Sequence, residues 1–181
     1  MRRRCRRKSA APERRLRFDS SPGGNHILLE AHVLVRRPPD AVWAYLGNVG
    51  NIAAWDRGVA KTAVTSGPDY TVGLEFDTFA HPRGSDKSGE WGKMSYRVTE
   101  ADPATGCTVQ LTSSDGNARF FRSAEWRFRV EPAPEGSTVF CAAHFALRRR
   151  YLILAPLFLS MRGAIRRDLE QLKRKLEASA G

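Results

Sequence analysis

Hydrophobic residues near the carboxyl end of the chain recur at the spacing of one face of a helix. From Leu154 onward they return at gaps of four and three residues, which aligns them on a single stripe. A stripe of this kind must be buried against another apolar surface. The pattern therefore predicts a long amphipathic terminal helix beginning at Leu154. The stripe consists of Leu154, Phe158, Met161, Ile165, Leu169, Leu172 and Leu176.

Most of the preceding chain alternates hydrophobic and polar positions, which predicts strands. The first covers residues 26–37, and Pro38 and Pro39 end it. Two short helices follow, over residues 39–46 and 51–55. Gly-, Pro- and Asp-rich turns separate the later strands, so neighbours should be antiparallel. The order predicts an α+β fold, a curved antiparallel sheet of about seven strands around the terminal helix. The later strands lie near residues 60–65, 70–79, 90–100, 108–113, 119–131 and 137–147.

Four segments in this order resemble the polyketide cyclase/dehydrase family of the START-like superfamily, also called SRPBCC or Bet v 1-like. They are the run VLVRRPPDAVWAYLGNVGNIAAW, the run from Tyr96 to Pro103, the hairpin from Val130 to Val139, and the terminal helix. The resemblance covers residues 27–178. It implies a helix-grip fold with a cavity between the sheet and the terminal helix. Because that family includes lipid carriers, hormone receptors, aromatases, cyclases and quinone-binding proteins, it does not imply one chemistry.

Alternation along the strands predicts which side chains enter this cavity. One face of the sheet carries apolar side chains with a few polar groups, as small-molecule pockets usually do. The alternative is that these side chains simply fill a core. The predicted ligand-binding residues are Phe76, Thr78, Met94, Tyr96, Ser113, Arg122, Trp126, Phe158 and Met161.

Arg122 and Tyr96 are the candidate catalytic residues, although the sequence assigns neither a step. An inward guanidinium cannot lose its charge, so Arg122 would need a carboxylate or a bound anion. Alternatively, it lies near the strand end and reaches solvent. No GxSxG, Walker, GxGxxG or HExxH motif is present, and the four histidines are dispersed. We therefore expect no metal, no cofactor and no covalent nucleophile.

The formal net charge of +11 is concentrated at the two ends of the chain. Residues 1–17 carry +8 and residues 148–181 carry +6, whereas the middle carries −3. We expect residues 1–25 to be a disordered basic extension and residues 26–181 to form one START-like domain. A nucleic-acid partner is not expected. Three dispersed cysteines indicate reduced thiols, and the absence of a signal-peptide pattern leads us to expect a cytoplasmic protein.

The start of the terminal helix has more apolar residues than one stripe needs. Residues 152–159 are apolar on all sides and follow Arg148, Arg149 and Arg150. The segment is too short to span a bilayer, which needs roughly 20 residues. Four interpretations stay open: a pocket lid, a homodimer contact, an edge that docks on an anionic membrane, or a surface covered by loops.

Two functions follow from these observations. The first is binding of a hydrophobic small molecule, such as a polyketide, a lipid or an isoprenoid-like compound, with cyclase or dehydratase activity by acid–base polarisation as its enzymatic form. The alternative is a non-enzymatic protein that binds or transfers a lipid or quinone and docks on anionic membrane through its basic ends.

Overall fold

The fold is described from a computed structural model over residues 26–69, 71–81, 92–104, 106–113, 119–156 and 161–178. It contains one antiparallel sheet of seven strands in the order β1-β7-β6-β5-β4-β3-β2. The predicted α+β helix-grip fold is confirmed. The strands are β1 (His26–Val35), β2 (Val59–Ser66), β3 (Glu75–Ala80), β4 (Lys93–Asp102), β5 (Gly106–Leu111), β6 (Phe121–Ala133) and β7 (Gly136–Leu147).

Two short helices connect β1 to β2, as the sequence predicts. Helix α1 (Pro39–Gly47) begins at a proline, which suits the first helical position because proline lacks the N–H that would be unpaired there. A 3-10 turn (Val49–Asn51) leads into α2 (Ile52–Trp55). The Asn48 side chain accepts a hydrogen bond of 2.9 Å from the N–H of Gly50. These helices extend over the concave face of the sheet.

The terminal helix starts later than its hydrophobic pattern predicts. Leu154 lies in a 3-10 segment (Arg149–Leu154), and helix α3 runs over Arg162–Ala178. The carbonyl of Met161 accepts from the N–H groups of Ala164 and Ile165, so the helical hydrogen bonding begins there. The prediction of a continuous helix from Leu154 is therefore wrong. Pro156, which removes a backbone donor, lies between the two elements.

Helix α3 packs over the β1 side of the sheet. Leu169, Leu172 and Leu176 are buried in a core shared with β1, β6, β7, α1 and α2. Gln171 donates to the carbonyl of Ala54 at 3.1 Å, which also connects α3 to α2. Within the described residues, α3 carries many charges and the other helices are short, so none is a candidate membrane span.

Strand β2 forms one edge of the sheet. Its pairing with β3 shifts register twice, between Val59 and Lys61 and between Val64 and Ser66. The end of β2 is exposed. At the opposite side of the sheet, β1 packs against α3. The two margins of the sheet therefore differ, and only the β1 margin packs against the terminal helix.

Candidate functional site

A cavity of about 120 Å³ lies between the concave face of the sheet and the two short helices. Its floor comes from β3, β4, β5 and β6, and α1, the 3-10 turn and α2 contribute the opposite wall. No residue of α3 lines it. The predicted position of the cavity against the terminal helix is therefore wrong: α3 covers the β1 side of the sheet, and the short helices cover the cavity.

Aromatic rings dominate the wall of the cavity. On the sheet, Phe76 stacks on Tyr96 with ring centroids 5.5 Å apart, and Tyr96 meets Trp126 edge to face at 5.3 Å. Across from them, Trp55 meets Phe128 edge to face at 6.0 Å. Such contacts fix ring orientations, so the wall is a rigid apolar surface. Its six aromatic residues are Trp43, Trp55, Phe76, Tyr96, Trp126 and Phe128.

Asp56 places a carboxyl group at this wall, immediately after α2. Burial raises its pKa to about 6, and the negative charge of Asp168 acts in the same direction. The N–H of Gly58 donates to the carboxylate at 2.8 Å and partly opposes the rise. Asp56 thus changes charge close to neutral pH, which is the condition for an efficient general acid or base.

Tyr96 and Thr78 supply hydroxyl groups at the sheet side of the cavity. Both are buried, and a hydrogen bond joins their side chains. Burial and the negative charge of Asp56 raise the pKa of Tyr96 well above its ordinary value. Tyr96 therefore stays protonated at neutral pH and can donate to a ligand oxygen. Its hydroxyl also contacts the sulfur of Met94 at 3.5 Å.

The indole nitrogen of Trp55 is a further polar group on this wall. It is buried and has no hydrogen-bond partner among the described residues. Leaving a buried donor unpaired costs roughly 1–3 kcal/mol. A ligand acceptor in the cavity would remove that cost.

Cys107 lines the cavity and is a free thiol, as is Cys141 in the core. Burial raises the pKa of the Cys107 thiol to about 11 and that of Cys141 to about 12. Both remain protonated at neutral pH, which makes them poor nucleophiles. In the described part of the chain, no three His, Cys, Asp or Glu side chains form a group that could hold a metal ion.

Four of the predicted ligand-binding residues line the cavity: Phe76, Thr78, Tyr96 and Trp126. The structure does not bring the others to it. Met94 packs in the adjoining core, Ser113 is half-buried beyond the end of β5, and Met161 is exposed before α3. Phe158 lies outside the described residues.

Arg122 is exposed, so the prediction that it points inward is wrong. The pairing of β6 with β7 shifts register between Phe121 and Ser123. Because of this irregularity, Phe121 and Ala124 are both buried, and strict alternation fails between them. From Ala124 onward the predicted alternation holds. A bulge leaves no clear mark on the hydrophobic pattern, and Arg122 falls within it.

Sequence reasoning missed the contribution of the short helices. Trp43, Trp55 and Asp56 all line the cavity, yet none was a site candidate. The available signal was two tryptophans on elements predicted to cover one end of the sheet, with an acidic residue directly after the second. Alternation along strands assigns faces within a sheet, and it gives no information about residues that reach the same space from outside.

Comparison with solved structures shows the same fold in proteins of low sequence identity. The Zhui aromatase/cyclase from Streptomyces sp. R1128 matches with a TM-score of 0.66 at 14% identity, over 86% of this chain and 99% of that one. The protein TTHA0849 from Thermus thermophilus matches at 0.65 and 16%, over 86% and 100%. Norcoclaurine synthase from Thalictrum flavum, in complex with dopamine and hydroxybenzaldehyde, matches at 0.64 and 12%, over 86% and 88%.

The sequence matches one family model across residues 26–177. That model describes polyketide cyclase/dehydrase and lipid transport proteins. A search of curated protein sequences gives no significant match. The matched region spans β1 through α3, so the family assignment rests on the whole folded part of the chain and not on one motif.

Proposed function

The chain belongs to the polyketide cyclase/dehydrase and lipid transport family, and on that basis we propose that it binds a small, flat, mainly apolar molecule that carries an oxygen function. The observation that carries this proposal is the Asp56 carboxyl at the edge of an aromatic cavity, with a pKa of about 6. Aromatic walls favour planar ligands, because rings stack or meet edge to face.

The size of the cavity limits what it holds in this conformation. A cavity of roughly 150 Å³ holds a benzene molecule in an apolar protein interior. The 120 Å³ found here therefore corresponds to one substituted ring. A larger ligand would place one ring among Tyr96, Trp126 and Trp55 and extend the rest of its skeleton outward.

The polar groups suggest how the bound molecule would be oriented and activated. The Trp55 N–H and the Tyr96 hydroxyl are donors for a ligand carbonyl oxygen. In the enzymatic form of this proposal, the Asp56 carboxylate removes a proton from a carbon next to that carbonyl. The electron pair then moves to the carbonyl oxygen, where the donors stabilise it. The neutral Asp56 carboxyl afterwards returns the proton.

The binding proposal is tested by calorimetric titration with p-cresol, a ring small enough for the cavity. Tyr96→Phe and Thr78→Val each remove one hydroxyl and little volume. We expect the p-cresol affinity to fall about 3–10-fold in each variant, the usual value of a hydrogen bond in a buried site. Asp56→Asn should remove a pH dependence in which wild-type affinity rises between pH 5 and 7.5, since the carboxylate is the stronger acceptor for the p-cresol hydroxyl.

Matched controls lie on the same strands but away from the cavity. Thr99→Val removes an exposed hydroxyl from β4, and Arg122→Ala removes an exposed guanidinium from β6. Neither should alter p-cresol affinity. Equal losses in Thr99→Val and Thr78→Val, or no p-cresol binding by the wild type, would show that the cavity is not the binding site.

A further inference from the structure

The connection between β7 and α3 exposes hydrophobic side chains next to arginines. Ile153 is 86% exposed, and Leu152 and Met161 are 36% and 38% exposed. Leu154 and Ile165 pack against one buried cluster, so the 3-10 segment and the start of α3 lie at the same end of the sheet. We call residues 149–154 together with 161–166 the β7–α3 surface.

The exposure of Ile153 occurs on a segment that the fold holds in place. The backbone N–H of Arg148 donates to the Phe120 carbonyl at 3.1 Å, and its guanidinium donates to the Phe121 carbonyl at 2.9 Å. The Tyr151 ring meets the Phe120 ring edge to face at 5.0 Å. These contacts fix the start of the 3-10 segment against β6. Ile153 is thus presented to solvent by an anchored turn.

The 3-10 geometry pairs each exposed apolar residue with an arginine. Residues three apart lie above one another in a 3-10 helix. Arg149 therefore lies on the same side as Leu152, and Arg150 lies on the same side as Ile153. Tyr151 and Leu154 occupy the third side, and both are half-buried. Two of the three sides thus combine a cation with an exposed aliphatic group.

The charge of this part of the chain has one sign. Six arginines fall between Glu135 and Asp168, and no acidic residue does. Among the described residues, no ion pair involves Arg149, Arg150, Arg162 or Arg166. All four side chains are exposed. A second copy of the chain is a poor partner, because a two-fold contact would bring the same arginines together.

We propose that the β7–α3 surface docks on an anionic lipid bilayer. Ile153 and Leu152 enter the interface between headgroups and acyl chains, and Arg149, Arg150, Arg162 and Arg166 bind lipid phosphates. Aliphatic groups surrounded by cations are the combination that holds peripheral proteins on such membranes. The proposal rests on residues separate from the cavity and stands independently of the ligand-binding function.

The test is sedimentation of the full chain with vesicles of phosphatidylcholine, either alone or mixed with phosphatidylglycerol. We expect binding to the mixed vesicles only, weakening as salt is added. Ile153→Ser should weaken it about tenfold, because one buried aliphatic side chain is lost. The double variant Arg149→Gln/Arg150→Gln should weaken it more than about 20-fold, since each arginine near an anionic surface contributes about fivefold.

Control variants match these changes elsewhere on the molecule. Val72→Ser removes another exposed apolar side chain, and Lys61→Gln/Arg129→Gln removes the same charge from exposed positions. Both should bind mixed vesicles nearly as the wild type does. Equal effects of Ile153→Ser and Val72→Ser would overturn the proposal. So would equal losses in the two charge variants, which would indicate attraction by net charge, to which the basic residues 1–17 also contribute.

Two further outcomes would assign the surface to another partner. Dimers that form with rising concentration and disappear in Ile153→Ser would show that a second copy covers it. Poly-L-glutamate that binds as tightly as the vesicles, without any dependence on Ile153, would indicate an acidic protein. Titration of Ile153→Ser with p-cresol should remain normal, so failure of the docking proposal is distinguishable from failure of the binding proposal.

Discussion

At the scale of the residue, Asp56 is the group that most distinguishes the cavity from an ordinary core. A carboxylate beside aromatic rings is poorly solvated, so burial favours its neutral form. The second carboxylate at Asp168 adds repulsion, and its own pKa is raised by burial too. The backbone N–H groups of Gly58 and Arg57 each donate to one of these carboxylates and limit the cost.

Asp56→Asn should stabilise the protein at neutral pH and not at acid pH. The pKa of Asp56 rises from 3.8 to about 6 on folding, so the folded chain holds a proton that the unfolded chain releases. Wild-type stability therefore falls as pH rises from about 4 to 6, and the whole penalty is present above about pH 6. We expect the variant to gain about 1–3 kcal/mol in free energy of unfolding at pH 7.5 and to gain little near pH 4.

Urea denaturation of both proteins at the two pH values measures this difference. Asparagine keeps the oxygen that accepts from Gly58, so the turn after α2 should survive the substitution. A gain of the same size at pH 4 and pH 7.5 would mean that the effect comes from packing and not from ionisation.

Residue-level predictions from sequence succeeded where a strand is regular and failed where it is not. Phe76, Thr78, Tyr96 and Trp126 follow strict alternation, and all four line the cavity. Arg122 lies at a register shift, and a single added residue reverses the face of a side chain. Asp56 is a different kind of miss, because a charged residue after a short helix has the same pattern as an ordinary turn.

At the scale of the element, the β6–β7 hairpin fits tightly against the chain leaving β1. Gly136 begins β7 with φ of 140°, and a Cβ added there would lie 2.2 Å from the Val35 carbonyl oxygen. The buried Ser137 hydroxyl donates to the Arg37 carbonyl at 2.7 Å. This junction fixes the direction in which the chain enters α1, and α1 forms part of the cavity wall.

Gly136→Ala should be strongly destabilising. The methyl group meets backbone atoms that cannot move aside easily, and the positive φ is unfavourable for any residue with a Cβ. We expect a loss of about 3 kcal/mol or more in free energy of unfolding, measured by thermal or urea denaturation. Gly73→Ala is the control, because its φ is 92° and its added Cβ meets nothing within 4 Å. That variant should lose only about 1–2 kcal/mol. Equal losses would show that φ alone, and not the close approach to β1, requires glycine at position 136.

The terminal helix shows which element boundaries a hydrophobic pattern can predict. The spacing places Leu169, Leu172 and Leu176 correctly on the buried face. The same spacing continues back to Leu154, where the chain instead forms a 3-10 segment. Leu154 is still half-buried against the core, so burial alone explains its apolar character. Hydrophobic spacing predicts which side chains are buried, and it predicts the backbone conformation less well.

At the scale of the whole molecule, the sequence indicated the fold more securely than the position of the cavity. Strand number, strand order and the two short helices all leave local signals in turns and alternation. The division of the concave face leaves none, because it depends on how α3 and α1–α2 share the surface. Helix α3 takes the β1 side, and the cavity lies under the short helices over β3 to β6.

Filling the cavity should separate stability from binding. Val109 is half-buried and lines the cavity from β5, so Val109→Phe adds a ring to space that is otherwise available to a ligand. We expect its free energy of unfolding to stay within about 1 kcal/mol of the wild type or to rise, because the added ring fills a void. Its p-cresol affinity should fall more than tenfold. Val64→Phe, at an exposed position on β2, should leave that affinity unchanged. Normal p-cresol binding by Val109→Phe would place the bound ring elsewhere.

The irregular pairing of β2 affects how the protein behaves when it is concentrated. An outermost strand with a regular row of amide and carbonyl groups can recruit a strand from a neighbouring molecule and start a fibril. The two register shifts interrupt that row, and Lys61 would have to lose water for an incoming strand to pair closely. The sheet therefore ends in a margin that resists growth from chain to chain, which favours solubility without a covering helix on that side.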